Sequence, residues 1–372
     1  MRITENANSE MLLANLHRVG ARRLDLLQKL STGKRVAKAS DDPDGVQLIL
    51  SYQKNLKQTE RYLSNVSEAK VWLNETEFAL TSIGDQLSQA IEKALRASSD
   101  SMGSAERDAI AQDIQSILES VAHDANGKSG NYYIFGGTNV SGAPFELGKS
   151  VEEETFTAKP GQAVDLDHTD LADAAVTVTS TDGLTTFVEG VDFEVDRSKG
   201  RITALSGGGM ADGTDYYVSY DTNSATVLSI NEKGTSGDVQ REISKGELMK
   251  INISGEDVFT DNANTLQALI DLKNALLRDD GSQIRALNAD LRKAHDQVIY
   301  FTSLTGMRYE RLSGVEDELE NVKLNIMSMK SEVEDADMAE LAVDFEKEET
   351  LYNAILKAGA RVVQQNLLDY LT

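Results

Sequence analysis

The chain has 372 residues and a net charge of −24, from 61 acidic and 37 basic side chains, and it contains no cysteine. The acidic excess argues against nucleic acid or an anionic membrane as the main partner. The lack of cysteine excludes a thiol nucleophile, a thiolate metal site and disulfide bonds. No apolar stretch reaches the length of a signal-peptide core at the N-terminus or of a membrane span later in the chain. We therefore expect that the protein, if exported, leaves the cell without a cleaved signal peptide.

The first 30 residues predict an amphipathic helix. Apolar residues recur there at steps of three and four, which places them in one stripe along a helix. An isolated helix of this length is marginal in water, so we expect the stripe to require a partner helix and to form an assembly interface. The predicted interface residues of this helix are Leu13, Leu16, Leu24 and Leu27.

A second helix is predicted after a short break. Gly33 stands where a helix C-cap is expected, Asp42 is suited to an N-cap, and Pro43 to the first helical position. From there to about residue 98 the apolar residues keep a heptad-like spacing. A helix of about 55 residues would be about 80 Å long. A third helix is predicted from about Ser104.

The middle of the chain has a different composition. Seventeen of the 27 glycines fall between residues 130 and 255, together with two of the three prolines. Residues 175–181 alternate valine with threonine, as a half-buried strand does. Residues 190–196 and 213–221 look like one unit used twice, and a tight turn is expected at residues 198–201. These patterns predict a small antiparallel β domain.

The last third predicts helices again, near residues 264–277, from Ser282 onward, and from about Ala336 to the end. The predicted fold is mainly α with a β insert, in which paired N- and C-terminal segments form a long coiled coil or bundle. The predicted domains are residues 1–40 with 336–372 (terminal assembly helices), 41–140 with 261–335 (long-helix rod) and 141–260 (outward-facing β domain). The predicted interface residues of the last helix are Leu356, Val363, Leu367 and Tyr370.

Motifs for chemistry are weak throughout the sequence. The four histidines have no metal-ligand spacing. Residues 127–129, GKS, lack the first glycine and the preceding strand of a phosphate-binding loop. Asp165, Asp167 and Asp170 lack the glycine and terminal glutamate of a calcium loop. We therefore predict no catalytic, cofactor or metal site, and no enzyme.

Two segments at opposite ends carry a family resemblance. Residues 30–36, LSTGKRV, and 39–45, ASDDPDG, resemble the N-terminal signature of the flagellin family, and residues 335–340, DADMAE, resemble its C-terminal segment. The resemblance covers about the first 140 and the last 110 residues. Within the family, residues 130–138, GNYYIFGGT, and 365–371, QNLLDYL, are most similar to members that join the flagellar hook to the filament.

The resemblance implies a structural subunit of the bacterial flagellum, located outside the cell at the hook–filament junction. It implies export through the flagellar type III apparatus with a chaperone, and self-assembly in contact with the first junction protein and with flagellin. The terminal helices would form an inner tube, with the β insert facing outward. The alternatives are a filament flagellin and, from another class, a secreted enzyme or adhesin on a flagellin-like scaffold.

Charge suggests how the two ends align. Residues 1–38 carry a net charge of +5, whereas residues 332–349 carry −8. If the terminal helices run antiparallel with Leu13 near Leu367, three basic residues approach three acidic ones. Exposed pairs contribute only about 0.2–1 kcal/mol each, so they would set register more than stability. The predicted charge register joins Lys34, Arg35 and Lys38 to Glu340, Asp344 and Glu346.

Overall fold

The computed structural model describes residues 2–139, 141–231 and 235–371, with the side chains of all of these except residues 2–6, 8, 9 and 361–371. Long helices at both ends flank small antiparallel sheets, which confirms the predicted fold class. The helices are α1 Arg2–Thr32, α2 Pro43–Ala97, α3 Ser104–Ala125, α4 Gly255–Phe259, α5 Thr265–Leu277, α6 Gly281–Glu334 and α7 Met338–Leu371. The strands are β1 Lys128–Ser129, β2 Tyr132–Tyr133, β3 Phe145–Gly148, β4 Ser150–Thr157, β5 Ala163–Asp165, β6 Thr177–Ser180, β7 Thr186–Phe187, β8 Phe193–Asp196, β9 Arg201–Ala204, β10 Asp215–Asp221, β11 Val227–Ile230, β12 Gln240–Ser244 and β13 Glu247–Lys250.

The chain divides into two compact units. The terminal unit contains the chain up to Leu63 and from Asp317 onward, and the central unit contains Ser64–Glu316. Both divisions fall inside long helices, α2 and α6. The predicted three-part division into domains remains a prediction.

The central unit has a continuous helical core built from α2, α3, α5 and α6. On α2 the leucines at positions 73, 80 and 87 keep the predicted seven-residue spacing and are completely buried. Three phenylalanines from outside the long helices complete this core. The Phe259 ring meets the rings of Phe135 and Phe145 edge to face, with centroids 5.2 and 5.1 Å apart. Phe145, Ile253 and Phe259 lie within residues 141–260, so both ends of the predicted β domain contribute to the helical core.

The aromatic and glycine-rich segment at residues 130–138 has a packing role. Its β1–β2 hairpin turns at Gly130, and Ile134 and Phe135 enter the core. Gly137 has a φ of +56°, and a Cβ there would lie 2.0 Å from the carbonyl oxygen of Ser236. Only glycine fits this position, both for its backbone angle and for the space.

The β insert has a core of its own. A four-stranded sheet in the order β4-β10-β6-β7 and a three-stranded sheet in the order β5-β9-β8 are antiparallel throughout, as predicted. The turn predicted at residues 198–201 joins β8 to β9, with Gly200 at a φ of +58°. The two segments predicted to form a repeat, residues 190–196 and 213–221, contribute β8 to one sheet and β10 to the other. The insert core is formed by side chains that include Phe156, Leu166, Phe193, Ile202 and Val218.

A buried polar seam fastens the insert to α5. The side-chain oxygen of Asn274 accepts hydrogen bonds from the backbone N–H of Thr169 at 3.2 Å and from its hydroxyl at 2.7 Å. The Asn274 amide donates to the carbonyl of Asp167 at 2.7 Å, and Arg278 donates to that of Lys199 at 3.1 Å. Satisfied buried polar groups of this kind specify one arrangement of the insert on the helix.

Candidate assembly interface

The terminal helices α1 and α7 pack against each other in antiparallel order. Arg22 forms an ion pair with Glu348 at 3.3 Å. One residue further along, the guanidinium of Arg23 lies 4.6 Å from the centroid of the Tyr352 ring. Cation–ring contacts and exposed ion pairs are individually weak, so they orient the two helices more than they hold them together.

The two family signatures at the ends of the chain bind each other. We call residues 33–36 and 333–336 the loop clasp. The carbonyl of Gly33 accepts a hydrogen bond from the N–H of Ala336 at 3.0 Å. The carbonyl of Glu334 accepts from the N–H groups of Arg35 at 2.8 Å and Val36 at 3.3 Å. These bonds tie the start of α7 to the end of α1.

Glu334 is the central side chain of the loop clasp, and the sequence patterns did not reveal it. Its carboxylate accepts hydrogen bonds from the ammonium groups of Lys34 at 2.5 Å and Lys330 at 3.1 Å. Burial works to raise the pKa of Glu334, but the two lysines together hold it below its ordinary value. In return, the hydrogen bond and charge of Glu334 raise the pKa of Lys34. Glu334 stands in the last turn of α6, where the helix dipole disfavours a negative charge. An acidic residue in that position is the sequence signal for a nearby cation that pairs with it.

The predicted charge register is wrong by about ten residues. Lys34 pairs with Glu334, Lys38 donates to Gln28 at 3.3 Å, and Asp344 pairs with Lys347 at 2.9 Å. Arg35 donates to the carbonyl of Val333 at 2.8 Å and lies 3.8 Å from Asp42. Among the residues that the structure describes, none of the three basic residues pairs with Glu340, Asp344 or Glu346. The cause is the short connection from α6 to α7, residues 335–337, which starts α7 beside the end of α1.

The predicted interface leucines of α1 are largely open to solvent. Leu13, Leu24 and Leu27 are 54%, 62% and 50% exposed, whereas Leu16 is half-buried. On α7, Leu356 is 44% exposed. The side chains predicted for the rest of this interface lie outside the part that the structure describes, namely Val363, Leu367 and Tyr370.

The face of α1 that contacts α7 is a different one. Among the described side chains of α1, Val19 is the only apolar one that is fully buried, and Leu12, Leu26 and Leu30 are half-buried beside it. At about 100° per residue, this row lies roughly a quarter-turn or more from Leu13, Leu24 and Leu27. We call those three residues the open stripe. Helix α1 is therefore apolar on two adjacent faces, and α7 covers one of them.

Two of the three acidic residues considered as calcium ligands have side-chain partners. Asp165 pairs with Arg201 at 2.5 Å, and Asp170 accepts hydrogen bonds from Asn223 at 2.9 Å and Ser224 at 3.2 Å. Within the described ranges, no group of three or more metal-ligating side chains converges. None of the helices there is both long enough and apolar enough to cross a membrane.

Known proteins resemble the chain in both sequence and fold. Flagellar hook-associated protein 3 of Salmonella typhimurium is 28% identical over 147 residues, which cover 39% of this chain and 46% of the relative. Polar flagellin F of Vibrio parahaemolyticus is 23% identical over 249 residues, 66% of this chain and 58% of the relative. The chain thus spans less than two thirds of the length of either relative. A solved structure from Vibrio parahaemolyticus, described as a flagellar hook-associated protein, shares the fold with a TM-score of 0.55 at 14% identity, covering 79% of this chain and 100% of that one.

Family models account for most of the sequence. The model of the bacterial flagellin N-terminal helical region matches residues 3–139, and that of the C-terminal helical region matches residues 290–371. Residues 135–236, which include the two larger sheets of the insert, match a model described as a protein of unknown function. Because the two flagellin models together cover more than half of the sequence, at both ends and in the expected order, the chain belongs to the flagellin family.

Proposed function

We propose that the chain is a structural subunit of the bacterial flagellum that forms the junction between the hook and the flagellin filament. The observation that carries the proposal is the open stripe: a terminal helix already paired with α7 still leaves three leucines that are half exposed or more. Apolar side chains aligned along a helix become stable when another helix covers them. Further copies of the same helices are the natural cover in a family of flagellar proteins.

The junction position is favoured by the relatives and by the core. A hook-associated protein 3 is among the sequence relatives, and the fold matches a structure described as hook-associated. The segment at residues 130–138, which resembles such members, is built into the central core through Ile134 and Phe135. The partners would be further copies of this chain, the first junction protein and flagellin.

Location and export follow from the same proposal. The protein would act outside the cell in the flagellum, and it would pass through the type III export apparatus with the help of a chaperone. The insert, with its own core and a net acidic surface, would face outward. The terminal interface would act by binding alone, without catalysis or a cofactor.

A filament flagellin is the second candidate, because the chain aligns with polar flagellin F over 66% of its length. Purified protein distinguishes the two. A junction protein should stay monomeric or form short assemblies, whereas a flagellin should grow long filaments. An enzyme or adhesin on this scaffold would instead bind a metal or a sugar stoichiometrically through residues 141–260.

The test of the junction role is electron microscopy of flagella from a strain that lacks the gene, complemented with variants. We expect hooks without filaments in the deletion strain, and restored filaments with the wild-type gene. The double variant Leu24→Ser and Leu27→Ser should fail to restore them because it makes the open stripe polar. The matched control is Leu184→Ser, which changes a leucine of the insert that is 86% exposed. Normal filaments in the deletion strain would contradict the junction role.

A further inference from the structure

A side chain at one glycine position of α7 would meet the end of a leucine side chain from α1. Gly359 is buried although the residues on either side of it are exposed. A Cβ at this position would lie 2.7 Å from the Cδ2 atom of Leu12 on α1, with the two neighbouring carbons of Leu12 at 3.8 and 3.9 Å. A carbon–carbon separation of 2.7 Å is well inside the contact distance of about 3.5–4.0 Å.

The backbone does not explain this glycine. Its φ is outside the left-handed region, and it lies within the regular helix α7. Glycine in a helix interior lowers helix stability relative to alanine. What distinguishes this position is the close approach of a Leu12 methyl group.

We propose that Gly359 is a notch that admits Leu12 and thereby fixes the axial register of α1 against α7. A slip by one helical turn would bring Leu12 opposite a residue that carries a side chain, such as Ile355, and would force the helices apart. The ion pair of Arg22 with Glu348 is exposed on the arginine side and cannot enforce register by itself. The notch is thus the steric element that the charge pattern lacks.

A second glycine in the same helix pair provides an internal control. Gly20 on α1 faces Tyr352, but a Cβ there would lie 3.7 Å from the ring, an ordinary contact. An alanine Cβ at position 20 makes an ordinary contact, whereas at position 359 it requires the end of the Leu12 side chain to move. If these glycines acted only through helix propensity, alanine would stabilise the pair at both positions.

The inference deepens the proposed function, because the register decides which parts of α7 lie beside the open stripe. Only this consequence for assembly depends on the proposed function. The pairing of α1 with α7 can be measured within one molecule, whatever that molecule assembles with.

The chain has no cysteine, so engineered pairs can report the register in the full-length protein. Because Arg22 and Glu348 meet at the tips of long side chains, a short bis-maleimide reagent joins the engineered cysteines. Arg22→Cys with Glu348→Cys reports the observed register, and Arg22→Cys with Asp344→Cys reports a slip of about one turn. Cross-linking is followed in dilute monomer in four backgrounds: unchanged, Gly359→Ala, Gly20→Ala, and Gly359→Ala with Leu12→Ala. We expect Gly359→Ala to slow formation of the 22–348 cross-link by about fivefold or more, because the added methyl group displaces the Leu12 side chain from the contact between the two helices.

The compensating variant decides between a notch and a general structural effect. Gly359→Ala with Leu12→Ala should restore the rate of the 22–348 cross-link, whereas Gly20→Ala should leave it unchanged or raise it. Loss of both cross-links in Gly359→Ala, with restoration in the double variant, would also support the notch. Unchanged cross-linking in Gly359→Ala, or no restoration in the double variant, would overturn it. If the wild-type protein shows this register but the deletion strain has no junction phenotype, the proposed function is contradicted and the notch is unaffected.

Discussion

The helical core of the central unit and the terminal pair α1–α7 have the same kind of sequence but different burial. Leu80 and Leu87 on α2 are completely buried, whereas Leu13 and Leu24 on α1 are more than half exposed. All four belong to stripes with helical spacing. The helical spacing of apolar residues thus predicts an apolar stripe but not the element that covers it.

The difference follows from the number of neighbours. In the central unit, α2 is one of four helices that share a core, and three phenylalanines pack into that core. In the terminal unit, α1 has α7 beside it and an apolar face to spare. Burying one leucine side chain contributes about 1.5–3 kcal/mol. Covering the exposed leucines of the open stripe would therefore add several kcal/mol of stabilisation, which only another molecule can provide. Regions with few buried apolar contacts open most easily in the free protein.

The largest expected effect separates the two regions directly. Leu87→Ala should lower the free energy of unfolding by about 2–5 kcal/mol, because it leaves a cavity among fully buried side chains. The measurement is urea denaturation followed by fluorescence of Trp72, the single tryptophan, which packs against this core. The matched control is Leu24→Ala on the open stripe, for which we expect a change within about 0.5 kcal/mol. Equal losses in the two variants would remove the distinction between the regions.

The buried seam between the insert and α5 should give the next largest effect. Asn274→Ala leaves the hydroxyl and backbone N–H of Thr169 without their acceptor, which should lower the free energy of unfolding by about 1–3 kcal/mol. Asn262→Ala, at an exposed position just before α5, is the control and should have little effect. The same urea titration compares the two. If Asn274→Ala behaves like its control, the seam does not hold the insert to the core.

The pH dependence of the loop clasp should be smaller. The pKa of Glu334 is lowered in the folded state, so its contribution is present above the ordinary glutamate pKa of about 4.3 and is lost as the pH falls through the lowered value. The pKa of Lys34 is raised, so its contribution is present below about 10.4 and is lost as the pH rises through the raised value. The clasp should thus be most stable between about pH 5 and 10.

A charge exchange tests this pair. Because the side chain of Lys34 is 45% exposed, we expect Lys34→Glu to destabilise the clasp by less than about 1 kcal/mol. Adding Glu334→Lys to Lys34→Glu should restore part of the loss, and Glu334→Gln should flatten the acid limb of the pH profile. Thermal melting followed by circular dichroism from pH 3 to 8 measures all three variants. An acid limb that persists in Glu334→Gln would assign the pH dependence to other groups.

Removal of the outer insert should have the smallest effect. Thr222 donates hydrogen bonds to the carbonyl of Lys149 from its N–H at 2.7 Å and its hydroxyl at 3.0 Å, so the two ends are already close. Replacing residues 150–221 by two glycines should change the free energy of unfolding of the helical core by less than about 1 kcal/mol. The deletion removes the insert side of the buried polar seam completely, and water then hydrates the polar groups of α5. This costs less free energy than deleting one partner of a hydrogen bond and leaving the other buried.

The extent of the deletion matters, because residues at both ends of the insert belong to the helical core. A larger excision of residues 145–255 removes Phe145 and Ile253, which are buried among the long helices, and should unfold the central unit. The unfolding transition followed by Trp72 fluorescence distinguishes the two deletions. If both deletions leave it intact, the phenylalanine cluster does not complete the core.

Local signals in the sequence predicted local structure well. The cap predicted at Asp42 and Pro43 is present, and the N–H of Gly45 donates to the Asp42 carboxylate at 2.9 Å. The helix starts and the alternating strand at residues 177–180 follow from spacings within a few residues. Such features depend on near neighbours alone.

Features that depend on distant parts of the chain were missed. The register of α1 on α7 depends on a three-residue connection and on the space beside Gly359, and stripes and charges alone placed it about ten residues away. Glu334 lies 300 positions from Lys34, so only the fold brings them together. The two segments that looked like a repeat joined different sheets because strand pairing is settled by packing across the insert.

Hydrogen exchange in the free and the assembled protein tests the central claim most directly. In the soluble monomer, amides between Leu13 and Leu27 should exchange much faster than those between Leu80 and Leu87, since α1 has an uncovered apolar face. In assembled protein the α1 amides should become protected to a similar level as those of α2, because neighbouring copies cover the open stripe. Protection of α1 that is already equal to that of α2 in the monomer, and unchanged on assembly, would contradict the account.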